Sequence, residues 1–90
     1  MPLFAVICRD RPDHLATRLS TRARHLEYIE KTDVVAMAGP LLEEGEMRGS
    51  LVVLDCADLE AAKSWAANDP YAKAGLFDSV QVIQWNKVIG

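Results

Sequence analysis

No apolar run in this chain approaches the ~20 residues that a membrane-spanning helix needs. The opening Met1-Pro2-Leu3-Phe4 lacks the basic lead and long apolar stretch of a secretory signal. A cytoplasmic protein without a membrane partner is expected. Cysteine is scarce: Cys8 and Cys56 each close a strongly apolar run, and there is no Cys-x-x-Cys. Reduced, buried thiols acting as small apolar side chains follow from that placement. The two histidines, His14 and His25, have no carboxylates at zinc or iron spacing, so no metal site is expected. An excess of positive charge is missing too. Ten basic and thirteen acidic residues give a net charge of -3, and the small cluster Arg18, Arg22 and Arg24 does not reverse it, which argues against a nucleic-acid partner. Gly45 and Gly49 do not stand between a strand and a helix start, which excludes a phosphate-binding loop. No organic cofactor is indicated, and no repeat, linker or low-complexity tract interrupts the chain.

What remains is a profile in which 50% of residues are apolar and 26% charged, that of one folded domain over residues 1–90. A chain this short buries only a little over ~60% of the surface its unfolded form exposes, so burial against a second copy would help, and a homodimer is expected.

Leu3 to Cys8 is a continuous apolar run ended by Arg9-Asp10-Arg11-Pro12-Asp13 and predicts a buried strand. Arg18 to Lys31 predicts a helix, with Ser20 or Thr21 as N-cap of its main part and Leu19, Ala23, Leu26 and Ile29 as the apolar stripe. Arg18 and Arg22 share a helix face with His25, at the border of that stripe, and most of the arginines read as solvated. Val34 to Ala38 predicts a second strand stopped by Gly39-Pro40. After the polar turn Glu43-Glu44-Gly45-Glu46, Leu51 to Leu54 predicts a third strand, introduced by Gly49-Ser50 and forming a hairpin with the second. Asp58 is placed to cap a helix running to about Asn68, with Leu59, Ala62 and Ala66 inward. Asp69-Pro70 then starts a short turn of helix to Ala74, and Ser79 to Val88 is the last strand.

The order strand, helix, strand, strand, helix, strand is the α+β, ferredoxin-like split βαβ arrangement (βαββαβ). Helices then cover one sheet face and leave the other for a second copy. Within this order the first and third strands are expected to run parallel as neighbours, bringing Cys8 and Cys56 close together.

His25 and Asp69 are the only acid-base pair the sequence offers. An imidazole titrates near neutral pH, and a carboxylate on its other nitrogen fixes the tautomer and stabilises the imidazolium. Capping alone also accounts for Asp69, and a boundary position on a helix for His25. Ser50 is either a ligand hydrogen-bond donor, a nucleophile if His25 is in reach, or a plain turn serine, the last being favoured. Tyr71 reads as pocket hydroxyl or core aromatic, Gly39-Pro40 as pocket wall by close backbone approach or as a strand stop, and Arg22 as an anion anchor or a solvated helix residue. Trp65 and Trp85 read as packing residues ahead of stacking platforms for an aromatic ligand or base.

Taken in order, Arg22-x-x-His25-Leu26, Ala38-Gly39-Pro40, Gly49-Ser50, Leu59-Glu60-Ala61-Ala62 and Asn68-Asp69-Pro70-Tyr71 followed by Gly75 resemble the YciI-like, or YCII-related, proteins over nearly the whole chain. The resemblance implies a ferredoxin-like fold pairing as a dimeric α/β barrel, with a pocket between sheet and helices. It also implies a His-Asp dyad as the candidate active site, here His25 and Asp69, with one carboxylate oxygen capping and the other holding the imidazole. The short acidic segment between Pro40 and Gly49 departs from longer-looped relatives and is expected to alter pocket size and charge. The expected function is acid-base chemistry, whether elimination, isomerisation or hydrolysis, on a small-molecule ligand, with Arg22, Ser50, Gly39, Pro40 and Tyr71 as ligand-binding residues. The alternative is a non-catalytic small-molecule-binding or assembly domain acting as a homodimer.

Overall fold

The computed structural model describes residues Met1–Gly90. In chain order it contains β1 (Leu3–Asp10), α1 (Leu15–Thr32), β2 (Val35–Glu43), β3 (Glu46–Asp55), α2 (Leu59–Asn68), the single turn α3 (Pro70–Lys73) and β4 (Phe77–Trp85). The four strands form one sheet in the order β2-β3-β1-β4. This is the ferredoxin-like α+β arrangement expected from the element order, and no helix is long and apolar enough to cross a membrane.

Every neighbouring strand pair is antiparallel, which corrects the expected parallel pairing of β1 and β3. The crossover through α1 returns β2 in the direction of β1, and the hairpin then reverses β3 and inserts it between them. Cys8 lies opposite Ser50, whereas the Cys56 amide donates to the Pro2 carbonyl oxygen, so the two cysteines occupy opposite ends of the β1/β3 pair.

Several boundaries differ from expectation. α1 begins at Leu15, before the proposed caps: Ser20 donates back to the Thr17 carbonyl and Thr21 is buried inside the helix. β2 runs through Gly39 and Pro40 instead of stopping there, and β3 starts at Glu46. Proline is tolerated because β2 is an edge strand, paired on one side only, where a missing amide donor costs no ladder bond. The hairpin turns at Glu44 and Gly45, both with positive φ (52° and 80°), the geometry that matches strand twist in a two-residue loop. β4 spans Phe77–Trp85, earlier than the expected Ser79 to Val88.

Alternate residues of the inner strands face the helices. Phe4, Val6 and Cys8 of β1 and Val52 and Leu54 of β3 pack with Cys56, Ala62, Trp65 and Ala66 to form the core. The core sits under α2, whose Asp58 carboxylate accepts from the Ala61 amide as expected of a cap. The expected stripe of α1 is largely turned outward: Leu19 and Leu26 are 54% and 45% exposed, while Arg18, Thr21 and His25 are buried. The amino-terminal half of α1 turns these polar side chains inward, and only its end, through Tyr28 and Ile29, reaches the apolar core.

Candidate active site

Asp69 ends α2 and caps α3, with φ −59° and ψ 129°. Pro70 at the first helical position removes an amide that would have no partner and presets φ for the turn. The Asp69 Oδ1 accepts from the Tyr71 amide at 3.0 Å and lies 2.8 Å from His25 Nδ1. The expected division of labour between the two carboxylate oxygens is therefore corrected: one oxygen takes both bonds. A carboxylate can only accept, so the hydrogen rests on Nδ1, and Nε2 is left without a partner in the chain. The pair is almost fully buried, with side chains 8% and 4% exposed.

His25 stacks on Tyr71, ring centroids 4.0 Å apart and planes 18° from parallel. Tyr71 in turn meets the edge of Phe77 and has the Arg18 guanidinium 4.7 Å from its ring centroid. Burial raises the Tyr71 hydroxyl above its ordinary range, opposed by the positive charges of Arg18 and Arg22. Tyr71 is thus both core aromatic and site wall.

Arg18 is the residue that sequence reasoning undervalued. It is 3% exposed and grips Asp10 of β1 with Nε to Oδ2 at 2.7 Å and Nη2 to Oδ1 at 2.8 Å, a bidentate pair. Its Nη2 also donates to Ser50 Oγ at 2.8 Å. Burial works against the guanidinium charge, but the hydrogen bonding and charge of Asp10 outweigh it, and the Arg18 pKa is raised. The available signal was its seven-residue spacing from His25, two turns of helix. Asp10 carried no signal of its own, because it stood in a charged stretch that ended a strand.

These side chains border a cavity of about 170 Å³, lined by Arg18, Arg22, His25, Ser50 and Tyr71 on the polar side. Leu26, Ile29, Ala38, Met47 and Val52 supply most of the apolar wall, with Gly39 and Pro40. A cavity of about 150 Å³ accommodates benzene, so the space suits one six-membered ring. All of the sequence-proposed site residues reach this cavity except Asp69, which stands behind His25. Arg22 is exposed at its edge and forms no ion pair. Ser50 is not a turn serine, since it lies buried within β3, opposite Cys8. The glycine allowing close approach is not Gly39, where an added Cβ meets nothing within 4 Å, but Gly49, where a Cβ would collide with the Cys8 carbonyl oxygen. The acidic turn stays out of the cavity, with Glu43 bound to Arg9 and Glu46 to Arg48.

Comparison with known proteins gives the same picture at the level of the whole chain. A family model described as the YCII-related domain matches residues 2–86. Protein YciI of Escherichia coli O6:H1 is 33% identical over 99 residues, covering 96% of this chain and 98% of that protein. An uncharacterized protein of Haemophilus influenzae is 32% identical over 95 residues, covering 94% and 97%. Among solved structures, the 5-chloro-2-hydroxyhydroquinone dehydrochlorinase TftG of Burkholderia phenoliruptrix, in complex with 2,5-dihydroxybenzoquinone, is similar with a TM-score of 0.86 and 33% identity over 93% of each chain. SnoaB, a cofactor-independent oxygenase of Streptomyces nogalater, shares the fold alone, with a TM-score of 0.64 at 15% identity over 100% of this chain and 97% of that one.

Proposed function

The chain belongs to the YCII-related domain family, and from that premise we propose that it is an acid-base enzyme acting on a small oxygenated ring. The observation that carries this reading is the His25–Asp69 contact: Asp69 holds the Nδ1 hydrogen at 2.8 Å, leaving Nε2 as the free base of a residue that lines a ring-sized cavity. In an elimination, Nε2 takes a proton from a ring hydroxyl, whose freed pair forms a carbonyl as the carbon bearing the leaving group takes up a proton. A second hydroxyl then gives up its proton, its electrons close a new π bond, and the leaving group departs with its bonding pair to leave a quinone. Asp69 stabilises the imidazolium so formed, and no electrons are exchanged with an outside oxidant. The dehydrochlorinase relative supports this reaction type and a hydroxylated aromatic ring as substrate class. Ser50, Tyr71 and Arg22 bind the ring's oxygens, and Gly39-Pro40 closes the wall.

The experiment is chloride release from 5-chloro-2-hydroxyhydroquinone by wild type and by His25→Gln and Asp69→Asn. Loss of about 10²-fold or more in kcat in both variants, with the fold intact by circular dichroism, is expected. Turnover equal to wild type in the variants would remove the pair from the mechanism. Saturable binding without any product would instead mark a ligand-binding domain.

We further propose that the open sheet face is covered by a second copy, giving a dimeric α/β barrel. Met37, Leu51, Ile83 and Trp85 share the face away from the helices and stand 38–50% exposed, a contiguous apolar surface with no cover within the chain.

A further inference from the structure

Ser50 Oγ has one hydrogen-bond partner in the chain, Arg18 Nη2, at 2.8 Å. A guanidinium has no acceptor, so the serine oxygen accepts and its own hydrogen has no taker in the protein. Ser50 is 3% exposed and lines the cavity, which leaves that hydrogen to a ligand. The geometry is held from behind, because both bonds from Arg18 to Asp10 fix the guanidinium, and the close packing of Gly49 against Cys8 fixes the strand that carries Ser50. A hydroxyl that accepts from a buried cation is polarised into a stronger donor, and a charged acceptor gains most from such a donor. The charges around the cavity agree in sign: Arg18 is neutralised by Asp10, Arg22 is unpaired at the edge, and no free carboxylate lines the wall.

We propose that Arg18, anchored by Asp10, is a positioning residue that aims the Ser50 hydroxyl hydrogen into the cavity and makes the site selective for a ring bearing an oxyanion, a phenolate or enolate. Ser50 donates to that oxygen while His25 Nε2 meets the proton to be moved. This rests on the cavity being the ligand site of the preceding reading, and its test reads binding alone, so failure of the acid-base assignment leaves it untouched.

Calorimetric titration near pH 8.5 with 4-nitrophenolate and its neutral counterpart 4-nitrotoluene tests the selectivity. Wild type is expected to prefer the phenolate by about ten-fold or more, as a hydrogen bond to a charged group confers. Ser50→Ala is expected to lose about ten-fold for the phenolate and much less for the neutral ring, and Ser50→Thr to restore the preference. The double variant Arg18→Met with Asp10→Leu removes both charges together, leaving none buried alone, and is expected to match Ser50→Ala. Arg18→Lys, which keeps the charge and loses the fork, is expected to fall with it. Equal phenolate affinity in wild type and Ser50→Ala, a wild-type ratio in the double variant or in Arg18→Lys, or no phenolate binding by wild type would overturn the proposal.

Discussion

A single oxygen of Asp69 holds a helix end and an imidazole at once, which makes that residue informative under substitution. Asn keeps an acceptor for the Tyr71 amide but no longer carries the charge that steadies an imidazolium. Asp69→Asn is therefore expected to lose far more activity than stability, with the melting temperature lowered by only a few degrees, as loss of about 1 kcal/mol does in a domain this size. Cys8 offers a second test. Burial, and next the Asp69 charge, push its thiol up from 9.0 to about 12. In the unfolded chain the thiol ionises first, so its contribution to stability is intact below about pH 9 and is lost as pH rises towards 12, by at most about 1.4 kcal/mol per pH unit. Denaturant unfolding at about pH 8 and 10.5 should show a steeper alkaline loss in wild type than in Cys8→Ala. Matching losses would place the thiol in a solvated setting. The Asp69-Pro70 step and the helical His25 were legible in the sequence because local helix-start chemistry announces the first and a family motif the second. The buried Arg18 was not, since an arginine's environment is decided by a partner elsewhere in the chain, here Asp10 on another element.

At the scale of elements, α1 is divided. Its end is bolted to α2 by a ring of hydrogen bonds in which Tyr28 donates to the Trp65 carbonyl, Trp65 Nε1 to Thr32 Oγ1, and Thr32 to the Tyr28 carbonyl. Its first half rests on the Arg18–Asp10 pair instead of on apolar contacts. Asp10→Ala leaves a buried guanidinium alone and should cost about 3–5 kcal/mol in chemical denaturation, far more than removal of the exposed Glu27–Lys31 pair on the same helix, which solvent screens. Nearly equal losses would contradict the division. Helix periodicity revealed that α1 exists and that Arg18, Arg22 and His25 are neighbours on it. It pointed the wrong side inward because leucines at helical spacing suggest a buried stripe, whereas this helix turns Arg18, Thr21 and His25 inward and leaves Leu19 and Leu26 about half exposed. Pro40 misled in a similar way, since it stops a central strand but not an edge strand.

For the whole molecule, element order was enough to read the fold, while the strand directions required the geometry of the crossover, which is why β1 and β3 were expected to run parallel. The proposed dimer is tested on the uncovered sheet face. Leu51 and Ile83 stand on that face in adjoining registers, and a charge at either is expected to convert a dimer to a monomer in light scattering. A wild-type monomer, or a dimer unaffected by both Leu51→Glu and Ile83→Glu, would show that a second copy does not cover the face. The proposed chemistry rests in the end on one hydrogen, the one between His25 and Asp69. A long-range proton–nitrogen NMR spectrum of the neutral His25 ring locates it directly. A protonated Nδ1 and a bare Nε2 are expected, whereas a ring carrying its hydrogen on Nε2 would leave no free base facing the cavity and contradict the assignment.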